Sequence, residues 1–244
     1  NRVKLQFFTN VTHELMTPLS ILITSLEGLN KGVGEPHALY SVMTVNAARL
    51  MRLIQQILEF RKAESGNLKL GVSQGDIAAF IRKCSEAFTP LVTKKALHFS
   101  FEASPSSIRG WFDPDDKIIY NLLSNAAKYT PADGRIGITL TRLDNEVEIE
   151  VANSGELMSR EAIDNLFKRF YDGKYRKFHT IGTGIGLSLV KDLVTIHKGR
   201  IAVTSCAERG NCFHITLPIL RTSYDDAEID DETNQSEGMT ELLD

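Results

Sequence analysis

His13 is followed at once by Glu14, and Thr17 comes one helical turn later. A neutral imidazole can attack phosphorus and carry a phosphoryl group, while an adjacent carboxylate takes or polarises the proton on the other ring nitrogen. A hydroxyl at Thr17 is placed to hold a water in line with an aspartyl phosphate on a docked partner. On position alone, His13 reads equally well as an ordinary surface histidine. The zinc-protease pattern H-E-x-x-H is excluded, because its second histidine would have to stand at Thr17.

A second group of residues suits a nucleotide. Asn121 and Asn125 are four apart with Lys128 a turn further on, so amide oxygens can hold a hard cation beside phosphate oxygens that the lysine neutralises. Taken alone, such a face is as readily solvated surface. Val151-Ala152-Asn153-Ser154-Gly155 ends a strand in a polar residue and a glycine, which is also the composition of an ordinary turn. Gly182-Thr183-Gly184-Ile185-Gly186-Leu187 opens a helix whose first-turn amides can meet phosphate. It follows no strand, which speaks against a dinucleotide-binding turn. Tyr171 to Thr180 is polar and basic, and its Lys174, Arg176, Lys177 and His179 can fold over a triphosphate as a lid or form a plain loop.

These residues need elements to hold them. Leu5, Phe8, Val11, Leu15, Leu19, Leu22, Leu26 and Leu29 repeat in steps of three and four, which predicts one long helix interrupted by Pro18 and bent there. His13 then points about 140–160° away from that stripe. After the loop Lys31–Pro36, a second stripe runs Leu39, Met43, Leu50, Leu53, Ile57, Phe60, with Asn46 as a lone polar residue able to fix register. Two such helices on a short loop form an antiparallel hairpin and cover only part of each stripe. Pairing with a second copy into a four-helix bundle covers the rest. Beyond Gly66 the pattern changes. Asp76 to Lys94 reads as a helix capped by its aspartate, Leu97–Phe101 as a strand, and Asp115–Lys128 as an amphipathic helix. Arg135–Leu143 and Glu146–Val151 form a hairpin through Asp144-Asn145. Helices near Ser159–Phe170 and Ile185–His197 and strands Gly199–Ser205 and Cys212–Pro218 complete an α+β sandwich rather than a doubly wound parallel sheet.

The chain has 244 residues, 42% hydrophobic and 24% charged, enough for two modest domains and too apolar for a wholly disordered chain. No apolar run is unbroken for the length of a bilayer. Three cysteines, Cys84, Cys206 and Cys212, without C-x-x-C spacing argue against a disulfide scaffold or zinc ribbon and for a reducing compartment. The start at Asn1 and the lack of a signal peptide read as a fragment of a longer protein. All 28 basic residues lie in 1–221, against 22 of the 31 acidic ones, so that part carries +6. This suits an anionic ligand and is too weak to argue for nucleic acid. Residues 222–244 hold nine acidic residues and no basic one, which predicts a flexible linker or end.

Jointly the motifs resemble those of sensor histidine kinases. Phe7 to Leu19 resembles the H-box, with Thr12 where serine is usual and Met16 where arginine is usual. Asn121–Pro131 (N-L-L-S-N-A-A-K-Y-T-P) is similar to the N-box, Leu166–Tyr171 to the phenylalanine box, and Gly182–Val190 to the second glycine box. Gly210, Phe213 and Pro218 resemble the last glycine motif. The resemblance implies a dimerising phosphoacceptor hairpin over 1–66, forming a dimeric four-helix bundle. A Bergerat-type (gyrase-like) ATP-binding α+β sandwich follows over 67–220, with an acidic tail over 221–244. It implies autophosphorylation on His13 with Glu14 as base, transfer to an aspartate of a response-regulator receiver domain, and phosphatase activity through Thr17. ATP and Mg²⁺ would be held by Asn121, Asn125, Lys128, Tyr129, Asn153, Gly155, Arg169, Lys174, Arg176 and Gly182, Thr183, Gly184, Ile185, Gly186 and Leu187, with Asn125 and Asn121 on the metal. It further implies a homodimer, no nucleic acid, no membrane contact from this part, and a cytoplasmic location below an inner-membrane sensor, with a hybrid parent carrying its own receiver. The first glycine box departs from the pattern D-x-G-x-G: Asn153 replaces the aspartate that meets the adenine amine, and Leu157 the second glycine. A neutral acceptor is weaker by about 1–2 kcal/mol, so ATP binding roughly tenfold weaker is expected. A dedicated phosphatase, a dead scaffold and a gyrase-like ATPase are the alternatives.

Overall fold

The computed structural model describes residues 2–114, 117–169 and 184–230, which group into two compact units. One holds 2–67 with 168–169 and 184–185; the other holds 68–167 and 186–230.

The first unit is a helical hairpin of α1 (Arg2–Asn30) and α2 (Pro36–Glu64). α1 continues through Pro18. It stops where the Val33 N–H bonds back to the Gly28 carbonyl at 2.8 Å and Gly32 takes a left-handed φ of 64°, which costs glycine no steric clash. Proline opens α2, where a missing N–H costs nothing. The stripe on α1 divides in two. Val11 is buried and Leu15, Leu22 and Leu29 are half-buried, as are Leu39, Met43, Leu50 and Ile57 on α2, where Leu53 and Phe60 are buried. Leu5, Phe8, Leu19 and Leu26 on α1 stay exposed, as do Val42, Val45, Ile54 and Leu58 on α2. Asn46 turns its amide back onto the Val42 carbonyl of its own helix, 2.7 Å away.

In the second unit, β1 (Ser73–Asp76) leads into α3 (Ile77–Glu86) and α4 (Thr89–Lys94), so the predicted single helix is two. β2 (His98–Ser104), β3 (Arg109–Phe112), α5 (Ile118–Tyr129), β4 (Arg135–Arg142) and β5 (Glu146–Asn153) follow. α6 (Arg160–Asn165) is shorter than expected, and α7 (Gly186–Ile196), β6 (Arg200–Cys206) and β7 (Gly210–Pro218) close the sequence of elements. Five strands form one sheet in the order β2-β4-β5-β7-β6. β2 runs parallel to β4 and the other pairs are antiparallel. The short pair β1–β3, antiparallel, was not foreseen from the sequence. Alternate residues of the central strands point into the core: Ile136, Ile138 and Leu140 on β4, and Val147, Ile149 and Val151 on β5. The buried faces of α3 (Ile77, Ile81), α5 (Ile118, Leu122, Leu123, Ala126) and α7 (Leu189, Val190, Val194) complete it.

One expectation is corrected. The acidic segment does not begin as a loose tail, because residues 221–230 fold onto the second unit. Tyr224 is buried in a cluster with Leu70 and Val72, against Trp111, Ile196 and Ile229, and its hydroxyl donates to the Pro218 carbonyl at 2.8 Å. Ile229 bridges Val72 in parallel, with the Val72 N–H on the Glu228 carbonyl (2.7 Å) and the Asp230 N–H on the Val72 carbonyl (2.9 Å). Lys198 supplies the missing positive charge, donating to Glu228 at 2.9 Å, Asp225 at 3.4 Å and the Ser223 carbonyl at 3.0 Å. The hydrogen bond it donates to Glu228 is the main reason the lysine pKa is raised. Burial works to raise the Glu228 pKa, but the Asp225 N–H and Lys198 outweigh it and hold it below the ordinary value. Among the described residues, no helix is long and apolar enough to cross a membrane.

Candidate functional site

His13 is exposed on α1, as the helical spacing predicts. Glu14 beside it is half-buried and Thr17 is exposed. The Thr17 hydroxyl donates to the His13 carbonyl at 3.0 Å and the Thr12 hydroxyl to Phe8 at 2.7 Å, so each spends its proton inside the helix and keeps lone pairs for an outside donor. Met16, in the place of an arginine, is also exposed.

The second unit brings together three pieces that are far apart in sequence. On α5, Asn121 is buried and Asn125 and Lys128 are half-buried, and Tyr129 is partly open, with the Lys128 ammonium 5.4 Å from its ring centre. The Asn121 Nδ2 donates to the Lys117 carbonyl at 2.9 Å, which identifies the other end of the amide as its oxygen. That Oδ1 lies 3.4 Å from where a Cβ on Gly186 would stand, so it faces the first residue of α7, where helix amides lack intrahelical partners. An amide oxygen beside the N-terminal turn of a helix, with a second asparagine one turn away, fits a hard cation bridged to phosphate. Leu187, next on α7, is half-buried; Gly184, with a left-handed φ of 68°, and the fully buried Ile185 belong to the first unit.

The third piece is the end of β5. Asn153 is buried, and its Nδ2 donates to the Thr130 hydroxyl at 3.2 Å. A Cβ on Gly155 would fall 2.7 Å from that same nitrogen and 2.7 Å from the Tyr129 carbonyl oxygen, so only glycine lets this turn close on α5. The loop beyond, with the exposed Leu157, is pinned from the neighbouring strands: Asn211 Nδ2 donates to the Glu156 carbonyl (2.9 Å), and the Met158 N–H donates to the Ser205 hydroxyl (2.9 Å).

Arg169 belongs to the first unit, where its guanidinium lies 5.4 Å from the centre of the Phe60 ring. Lys174, Arg176, Gly182 and Thr183 lie outside the described residues. Two residues escaped sequence reasoning. Lys95 closes the end of α5 by donating to the carbonyls of Ala127 (2.7 Å) and Thr130 (2.9 Å), and Thr130 touches Asn153. Each acts across more than twenty residues of sequence, where no local pattern betrays it.

Comparison with known proteins agrees with this division. Residues 3–66 match the His Kinase A (phospho-acceptor) domain, and residues 116–221 match the Histidine kinase-, DNA gyrase B-, and HSP90-like ATPase domain. Histidine kinase P4 of Formosa agariphila is 30% identical over 99% of this chain and 18% of its own length. Sensor protein kinase WalK of Staphylococcus aureus is 30% identical over 89% of this chain and 54% of its own. The chain thus spans about a fifth and about half of these two relatives. The structure of histidine kinase ThkA in complex with response regulator protein TrrA shares the fold, at a TM-score of 0.58 and 23% identity over 87% of this chain and 60% of that one. With the phospho-acceptor domain and the ATPase domain following one another in a single chain, it belongs to the sensor histidine kinases.

Proposed function

We propose that the chain transfers the γ-phosphoryl group of ATP to His13 and from there to an aspartate on a response-regulator receiver domain. The observation that carries this reading is an imidazole exposed on a helix, next to a carboxylate, in a chain that also holds an ATPase domain of the histidine kinase type. A ring nitrogen of neutral His13 forms the new N–P bond as the P–O bond to ADP breaks, and Glu14 takes the proton from the other nitrogen. Asn125 and Asn121 offer amide oxygens to Mg²⁺, which supplies charge neutralisation on the phosphates when bound. Lys128 and the first-turn amides of α7 act on the same charge. Domains over 1–66 and 67–220 divide the labour, and the second must bring its nucleotide to the first.

Uncovered leucines and valines on both helices support a homodimer, in which a second hairpin completes a four-helix bundle. The receiver domain follows from the transfer chemistry, as does a parent protein anchored at an inner membrane from the sensor role of the family. Incubation with γ-labelled ATP tests the reading. Acid-labile label is expected on the wild type and none on His13→Gln; label persisting on that variant would falsify the assignment. Thr17 keeps lone pairs toward solvent one turn from His13, which favours a companion phosphatase activity. Thr17→Ala is expected to retain labelling and to lose dephosphorylation of a phosphorylated receiver.

A further inference from the structure

We propose that Thr130 is a positioning residue for nucleotide selection: it fixes which end of the Asn153 amide faces the base, and so favours adenine over guanine. This rests on reading the pocket as an ATP site. Thr130 is buried, and its Oγ1 lies 2.6 Å from the Ala126 carbonyl oxygen and 3.2 Å from Asn153. A hydroxyl has one proton, and a carbonyl oxygen has none to give. At 2.6 Å the Thr130 proton is committed to Ala126, since two bare oxygens that close would repel. The group that Asn153 presents to Thr130 must therefore be a donor, which is Nδ2.

An asparagine amide fits its space almost equally well either way round, so this one bond decides its polarity. With Nδ2 held, Oδ1 points away from Thr130. Among the described residues, Asn153 forms no side-chain bond other than the one to Thr130, and no buried side-chain nitrogen or oxygen lacks a partner. The Asn153 oxygen is therefore not sealed from solvent, and it is the acceptor left for a ligand. It offers an acceptor, which pairs with the exocyclic amine of adenine and is repelled by the carbonyl oxygen guanine carries at that place. A flipped amide would reverse that preference.

An aspartate would need no such device, because both its oxygens accept. Thr130 therefore matters for base selection only while residue 153 is asparagine. This sets the experiment. The 244-residue chain is titrated with the imido analogues of ATP and GTP, and the ratio of the two affinities is measured, with thermal melting as a check on folding. The wild type is expected to prefer the adenine analogue. Thr130→Val, which keeps the shape and loses the hydroxyl, should reduce the ratio about tenfold, the scale of one lost hydrogen bond. Thr130→Ala, which avoids the second γ-methyl, is expected to match it, and Thr130→Ser to retain the ratio. Asn153→Asp should keep a high ratio, and the double variant Thr130→Val with Asn153→Asp should recover it. A general packing defect would not be rescued in this way. An unchanged ratio in both Thr130→Val and Thr130→Ala, or a double variant as unselective as Thr130→Val, overturns the proposal. A wild-type chain that binds neither analogue overturns the ATP-site reading and the proposal with it.

Discussion

Asn153 stands where the family pattern has an aspartate, and differs from it by one charge and one added donor. A charge-assisted hydrogen bond exceeds a neutral one by about 1–2 kcal/mol. Asn153→Asp is accordingly expected to bind ATP about tenfold more tightly by titration, and equal affinities would remove the pairing with the base. At this scale, His13 is legible in the sequence because helical periodicity alone puts it opposite the apolar stripe. Asn121 and Asn125 are singled out by their spacing of one helical turn, although Asn121 is buried. Thr130 is not. Its meaning lies in a bond to Asn153, on a strand that reaches it only after the sheet has formed.

Asp76 shows how much a single capping residue organises. Its Oδ1 accepts from the N–H groups of Ala78 (3.0 Å), Ala79 (3.2 Å) and Ile108 (3.2 Å), and its Oδ2 accepts from the Ser107 hydroxyl (2.7 Å). The Ser107 bond is the chief reason its pKa lies below the ordinary value; burial opposes it, and the three backbone bonds add to it. Loss of such a cap costs about 1–2 kcal/mol, so Asp76→Ala should lower the melting temperature of the second unit. The sign of the pH effect follows from the lowered pKa. The cap is at full strength above the normal carboxylate range and fades as pH falls below about 4 and through the folded-state value. The wild type should therefore lose part of its advantage over Asp76→Ala in acid, and parallel melting curves down to acid pH would refute this. The cap is readable from the sequence, as are the longer helices and the β4–β5 hairpin. β1 and β3 are not, since strands of four residues are too short to show alternation. Nor is the parallel pairing of β2 with β4, which joins strands distant in the chain. The fold of 221–230 is hidden by its composition: nine acidic residues from 222 onward suggest self-repulsion, and only the structure brings Lys198 to Asp225 and Glu228.

For the whole molecule, the unfinished hairpin has the clearest consequence. Leu26 is 48% exposed on α1 between other uncovered apolar residues, although it lies on the long stripe. If a second copy covers that face, Leu26→Glu would bury a carboxylate on each side of the seam. Sedimentation should then show a dimer for the wild type and a monomer for the variant, with the fold of the second unit unchanged. A variant that remains dimeric would mean that the bundle pairs through another face. The stripes announce that a partner is needed, because a two-helix hairpin cannot cover both. They do not say which residues face inward, since all eight on α1 repeat in the same steps of three and four.

The bridge between Val72 and Ile229 has a mechanical consequence. The two segments run in the same direction, one leading into the second unit and the other leaving it. Traction backward on residue 68 and forward on residue 230 would slide them past each other. The two backbone bonds flanking Val72 would then share the load and yield together, whereas a hairpin unzips one rung at a time. With Tyr224 seated behind it, this junction would act as a rivet, resisting tension before any strand of the main sheet is strained.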